Sequence, residues 1–248
     1  MIRGTKIPHQ SISLMLLAYN EIDTIQIELN SWRSRLEQLP AGWTWQIVVV
    51  EDGSTDGTTK FLSEWAKDER NHHLHEPDRQ GYKNALKRGL SFCATDYIFF
   101  CDTGLKNDFE DFWALFYRRE RADLLVGRKV LRTDSTYRQF LTLALNAFLR
   151  IYFHSQQFHD VDSGFRIFNK RVRDLLLEEE LIFKGFAGCE MVLKVCRKKY
   201  KYLEVPISYG GRDGVSRGLP NRVIPKSIIK LLGDLRRFKS SLKSSAEF

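Results

Sequence analysis

Short apolar runs and longer mixed segments alternate along the first half of the chain. Residues 11–17, 45–50 and 97–101 are nearly continuous apolar stretches, and helical spacing follows each of them, over 21–36, 58–66 and 108–119. An apolar run without polar alternation predicts a strand buried on both faces, and strands separated by helices predict a parallel, doubly wound α/β sheet. Ligands of such sheets gather beyond the carboxyl ends of the strands. The residues to inspect are therefore 18–21, 51–56 and 102–106. The second half changes pattern: an apolar helical stretch over 137–153, a polar turn at 160–164, a strand over 165–168, a helix around Glu190 and a strand pair within 202–209.

The chain of 248 residues is long enough for one large core, read as a body over 1–220 and a basic amphipathic helix over 221–248. That helix either packs on the body or lies in a lipid interface. Two apolar stretches, 140–153 and 223–232, are shorter than the ~20 residues of a spanning helix. Arg150, Lys226 and Lys230 also interrupt them, so neither is expected to cross a bilayer. Residues 1–11 have no apolar run or cleavage pattern of a secretion signal. Cys93, Cys101, Cys189 and Cys196 form no C-x-x-C pair, which fits buried thiols in a reducing, cytoplasmic compartment. The net charge of +8 calls for an anionic partner: nucleic acid, a lipid surface or a phosphorylated substrate. No helix-turn-helix, zinc or base-stacking pattern accompanies the charge, so nucleic acid is not expected.

The sharpest local signal is Val48-Val49-Val50-Glu51-Asp52-Gly53-Ser54-Thr55-Asp56-Gly57-Thr58, a strand, an acidic Gly-rich turn and a helix start. Asp52 is placed to accept hydrogen bonds from a nucleoside and Asp56 to cap the helix, although an acidic turn before a helix cap is the plainer reading. His72, His73 and His75 fall in an expected strand over 71–75. Alternation then sends them to opposite faces, so no metal site is expected there. His154 and His159 flank a loop, either solvated or touching an acceptor phosphate.

Taken in order, Ala18-Tyr19-Asn20-Glu21, the Glu51-to-Thr58 turn and Asp96-Tyr97-Ile98-Phe99-Phe100-Cys101-Asp102 resemble glycosyltransferase family 2. Gly81, Ala85 and Gly89 continue the resemblance, as does Val126-Gly127-Arg128. Asp160-Val161-Asp162-Ser163-Gly164-Phe165-Arg166, Glu204-Val205-Pro206 and Arg212-Asp213-Gly214 look like its dolichol-phosphate mannose synthase branch. The resemblance implies a GT-A fold and an inverting transfer of sugar from a nucleotide diphosphate (GDP- or UDP-sugar) to a polyprenyl or dolichyl phosphate, peripherally at the cytoplasmic face of a membrane.

It also implies residue roles. Ala18, Tyr19, Glu21 and Asp52 line the nucleoside pocket, and Asp102 faces the diphosphate through Mg²⁺ or Mn²⁺. Arg79, Lys83 and Lys106 are alternative sources of positive charge there. Where the family has a second Asp, this chain has Gly104. A single carboxylate still suffices for Mg²⁺, which keeps several waters and takes phosphate oxygens. Glu190 matches an acidic residue near the acceptor: a general base for a sugar hydroxyl, an orienting group for a lipid phosphate, or a carboxylate favoured by a helix start. Arg128, Ser163, Arg166 and Arg212 are expected to hold the acceptor phosphate, because arginine binds phosphate oxygens in pairs. Phe140, Leu141, Leu145, Phe148, Leu149 and Tyr152 are expected to shelter the prenyl chain. The alternatives are a transferase with a sugar-hydroxyl acceptor in glycan synthesis, and a non-catalytic nucleotide-sugar-binding protein.

Overall fold

The structure, a computed structural model, describes residues 10–209 and 224–244 except 106, 133–135, 154–157 and 184–185. Seven strands form one sheet: β1 (Gln10–Ala18), β2 (Trp43–Asp52), β3 (Asn71–Glu76), β4 (Tyr97–Asp102), β5 (Leu124–Arg132), β6 (Phe165–Asn169) and β7 (Tyr202–Tyr209). Their order is β3-β2-β1-β4-β6-β5-β7, and only β6 runs against its neighbours. The helices are α1 (Ile25–Leu36), α2 (Thr58–Trp65), α3 (Tyr82–Phe92), α4 (Asp111–Phe116), α5 (Thr136–Tyr152), α6 (Lys170–Glu178), α7 (Ala187–Arg197) and α8 (Ile224–Ser244).

The central strands are apolar on both sides because helices cover both faces. Ile12, Leu14, Ile47, Val49 and Phe99 pack with Trp32 of α1, Leu62 of α2 and Phe112 of α4. Met15, Val48, Val50, Ile98 and Phe100 pack with Leu86 of α3, Leu176 of α6 and Val192 of α7. Leu231, Leu235 and Phe238 of α8 are buried in that second cluster, while Lys230, Arg236, Arg237 and Lys239 stay exposed. The basic helix therefore packs on the body.

Two expectations change. The strand pair over 202–209 is a single strand, paired in parallel with β5. Helix α1 starts at Ile25 rather than 21, because the turn before it is tied to the β2 turn: Glu21 N–H donates to Thr58 Oγ1 at 3.0 Å.

Candidate active site

The carboxyl ends of β1, β2 and β4 meet as the topology requires. Leu17 lies opposite Asp102 and Ala18 opposite Glu51 in the parallel register. Buried Ala18 ends β1, and Tyr19 and Asn20 turn outward. The Asn20 N–H donates to Ser54 Oγ at 3.0 Å, and its side-chain oxygen accepts the Thr55 N–H at 2.8 Å. These bonds knit the first two turns together. Glu21 is buried beneath them and accepts the Thr24 hydroxyl at 3.2 Å.

Asp52 accepts the backbone N–H groups of Gln80 and Gly81 at 2.6 and 2.8 Å, which fixes the loop before α3. That loop carries Arg79, whose guanidinium lies 3.9 Å over the Tyr19 ring with its Nε 4.0 Å from Asp52 Oδ2. An exposed guanidinium stacked on an aromatic face beside a concave acidic turn is suited to a nucleotide. Lys83 points elsewhere: its Nζ donates to the Leu181 carbonyl at 3.1 Å, so it braces the loop before α7.

Asp102 ends β4. Its N–H donates to the Gly164 carbonyl at 3.0 Å, and the Tyr82 hydroxyl donates to its Oδ1 at 3.4 Å. A side chain at Gly164 would overlap the Asp102 carboxylate, so the close approach requires glycine. Exposed Asp162, in the same turn, brings a second carboxylate within the electrostatic reach of Asp102. Its carboxyl is pushed up to about 7, first by removal from bulk water, with Asp102 and Asp160 adding repulsion that Arg166 and Lys129 oppose. Burial, then the Asp102 charge, likewise lifts the Tyr82 hydroxyl well above its ordinary range. Asp162 and Tyr82 are nevertheless both exposed at the surface, so bulk water moderates these shifts.

Gly104, standing where the family has a second Asp, is held through its backbone. Its φ of 102° is a left-handed conformation that favours glycine, and its N–H donates to Glu28 Oε2 of α1 at 2.8 Å.

Residues 13–176 match the family model described as glycosyl transferase family 2. This chain belongs to that family. It is 25% identical over 205 residues to the glycosyltransferase AglD of Haloferax volcanii, covering 80% of this chain and 33% of that relative. It is 24% identical over 245 residues to a dolichyl-phosphate beta-glucosyltransferase of Trichomonas vaginalis, covering 93% and 73% of the two chains. Among solved structures it superposes on glucosyl-3-phosphoglycerate synthase of Mycobacterium tuberculosis, in complex with Mn²⁺, uridine diphosphate and phosphoglyceric acid. That match has a TM-score of 0.64 at 19% identity and covers 91% and 78% of the chains. The mannosyltransferase PcManGT of Pyrobaculum calidifontis, with GDP-Man and Mn²⁺, matches with a TM-score of 0.57 at 16% identity over 82% and 58%. These structures share its GT-A fold.

The other side of the glycosyltransferase cleft departs from the expected roles. Arg166 is 1% exposed, and its guanidinium donates to the carbonyls of Ser163, Gly188 and Val161 at 2.6, 2.6 and 2.9 Å. It holds the 160–164 turn against α7 and has no face left for a phosphate. Glu190 is also fully buried, accepting the N–H groups of Ile182 and Phe183 at 2.8 and 2.7 Å with Lys194 Nζ at 3.5 Å. Its carboxyl is raised by burial, against those bonds and Lys194, and its placement is that of a carboxylate in the first turn of a helix. Arg128 is half-buried on β5 with its Nε unpaired among the described residues, and the Ser163 hydroxyl is likewise unpaired. Of the two, only Arg128 remains partly exposed and suited to a phosphate, because Ser163 is as fully buried as Arg166. Exposed His159 sits 3.2 Å from Glu204 Oε2. Arg212, Lys106 and His154 lie outside the described residues.

Two residues of this cleft carry little local signal in the sequence. The nearness of Asp162 to Asp102 depends on β6 being inserted beside β4. Tyr82 gave no signal beyond standing next to Gly81.

Proposed function

We propose that this glycosyltransferase moves a sugar from a nucleoside diphosphate sugar to a polyprenyl phosphate at a membrane surface. The observation that carries the acceptor reading is a lipid-like face joined to the cleft. Phe140, Leu143, Phe148 and Ile151 of α5 are all exposed, and they recur at helical spacing. On the inner side of the same helix, buried Asn146 accepts the Val161 N–H at 3.2 Å, attaching the stripe to the turn that carries Asp162 and Ser163. Exposed Lys239 of α8 lies 4.3 Å over the Tyr152 ring, adding positive charge beside the stripe. An apolar stripe next to basic residues suits an interface with anionic lipids. Among the described residues no helix is long and apolar enough to cross a membrane.

In this reading Arg79 and Tyr19 hold the nucleotide, and Asp52 keeps their loop in place. Asp102 and Asp162 fit a hard divalent cation: both offer carboxylate oxygens, and Asp102 is near enough to Asp162 to add, after burial, to the rise of its carboxyl. Such an ion would neutralise charge on the departing diphosphate. Half-buried Arg128 receives the acceptor phosphate. One of its oxygens attacks the anomeric carbon from the side opposite the leaving group, so configuration inverts as the carbon–oxygen bond to the diphosphate breaks. A phosphate monoester, with a second pKa of about 6, needs no base to become a nucleophile. The reading is therefore consistent with Glu190 being engaged by backbone.

The test supplies labelled UDP-glucose and GDP-mannose with polyprenyl phosphate in vesicles, with and without Mn²⁺, and follows label into the organic phase. Transfer to lipid supports the proposal. Transfer only to soluble sugar hydroxyls rejects it.

A further inference from the structure

A second cluster of ligating side chains lies behind the donor turn. Along β2, Ile47, Val49 and Glu51 face α1 and α2, whereas Asp52 faces the loop before α3. On β3, His73 and His75 are two residues apart and so share a face, while His72 turns to the other side against Phe92 of α3. The alternation that splits the three histidines thus brings two of them together. β3 pairs in parallel with β2, and His75 lies directly opposite Glu51.

Both rings converge on one atom. His75 Nδ1 is 2.5 Å from Glu51 Oε2, and His73 Nε2 is 3.8 Å from the same oxygen. The three ligand atoms lie within 4.8 Å of one another. Glu51 is fully buried and the His73 side chain is 6% exposed, yet His73 Nε2 has no hydrogen-bond partner among the described residues. At 3.8 Å it is too far from Oε2 for such a bond. A buried ring nitrogen aimed unpaired at a buried carboxylate is costly unless something lies between them.

The surrounding atoms already have the arrangement of a metal site's outer shell. Ser63 Oγ of α2 lies 3.4 Å from His73 Nδ1 and already donates to the Thr59 carbonyl at 2.9 Å, so a proton on Nδ1 has an acceptor and the tautomer with a lone pair on Nε2 is accommodated. The other Glu51 oxygen, Oε1, accepts the Ser54 N–H, leaving Oε2 for the cation. The His75 side chain is 42% exposed, so the fourth side is open to water.

We propose that Glu51, His73 and His75 bind a Zn²⁺-class cation, with water in the fourth position, at a site separate from the donor cleft. Two imidazoles and one carboxylate suit a borderline transition metal, whereas the Asp102 and Asp162 oxygens suit Mg²⁺ or Mn²⁺. Tetrahedral bonds of about 2.0–2.1 Å place ligand atoms on the order of 3.3 Å apart, so the His75 contact must lengthen and the His73 distance shorten, each by less than about 1 Å. Because Glu51 also holds Ser54, the cation clips the ends of β2 and β3 to the turn that Asn20 joins.

The inference does not depend on which acceptor the cleft takes. It is tested on metal-free full-length protein without nucleotide, by titrating Zn²⁺ calorimetrically and Co²⁺ by its visible absorption, with excess Mg²⁺ present. The expected result is saturable one-site binding with a four-coordinate Co²⁺ spectrum and a rise in melting temperature on adding Zn²⁺. Asp102→Asn should retain all three. His75→Ala, a change at an exposed side chain whose folding a melting curve verifies, should lose them, as should His73→Gln. No saturable binding in the parent protein, or unchanged binding in folded His75→Ala, overturns the proposal.

Discussion

Asp102 lies against the backbone of Gly164, its N–H bonded to the Gly164 carbonyl at 3.0 Å and its carboxylate filling the space a β-carbon would need. Gly164→Ala should therefore displace the Asp102 carboxylate while leaving Asp52 and Arg79 in place. Overpacking of this kind costs about 1–3 kcal/mol, to be read from denaturant unfolding. Calorimetry should show nucleoside diphosphate binding retained and its enhancement by Mn²⁺ lost. An unchanged response to Mn²⁺ would mean that Asp102 does not hold the metal.

The raised Asp162 carboxyl predicts a pH dependence of stability. Its folded value, about 7, lies above the ordinary 3.8, so between these values the folded chain keeps a proton that the unfolded chain has lost. Stability from this group is therefore present below about pH 4 and lost as pH rises toward 7. In metal-free protein the melting temperature should fall less between pH 5 and 8 for Asp162→Asn than for the parent. Mn²⁺ should recover the parent at pH 8 and leave the variant nearly unchanged. Equal pH slopes for the two proteins would refute the assignment.

Glu190→Gln separates a structural role from a catalytic one. The new amide must turn an N–H₂ toward the Ile182 or Phe183 N–H, at a cost of about 1–3 kcal/mol for the unpaired buried groups. Turnover per folded molecule should drop by less than the roughly 10²- to 10⁴-fold expected for loss of a general base. A loss in that range, with an unaltered melting curve, would return Glu190 to the chemistry.

The α5 stripe is tested by Leu143→Asp together with Ile151→Asp. Both side chains are exposed, so folding and nucleotide binding should be unaffected. Burying one such side chain is worth about 1.5–3 kcal/mol, so the pair should weaken sedimentation with anionic vesicles by about tenfold or more. The KM for polyprenyl phosphate in vesicles should rise with it. Full vesicle binding in the double variant would remove the stripe from the proposed function.

The clustering of the first strand ends was legible because sequence and space coincide there. Apolar runs became β1, β2 and β4, and the polar residues directly after them, Tyr19, Asp52 and Asp102, stand together at the strand ends. The acceptor half was harder to read, because its roles depend on which elements become neighbours. A motif arginine, Arg166, is spent on three carbonyls, and a motif acid, Glu190, on two amides. Neither outcome is encoded in local spacing. His73 and His75 show a different case: alternation parts only His72 from the other two, and the partner that completes their shared face, Glu51, comes from the neighbouring strand.

The reversal of β6 also bears on how such an enzyme can diversify. A parallel strand in that place would send its preceding connection to the far margin of the sheet, away from Asp102. Running backwards, β6 begins at Phe165, paired with Cys101, so the segment before it opens onto the reaction margin. Changes of length or composition between α5 and β6 can thus reshape what the cleft receives, while the proposed nucleotide pocket, assembled entirely upstream, is inherited intact.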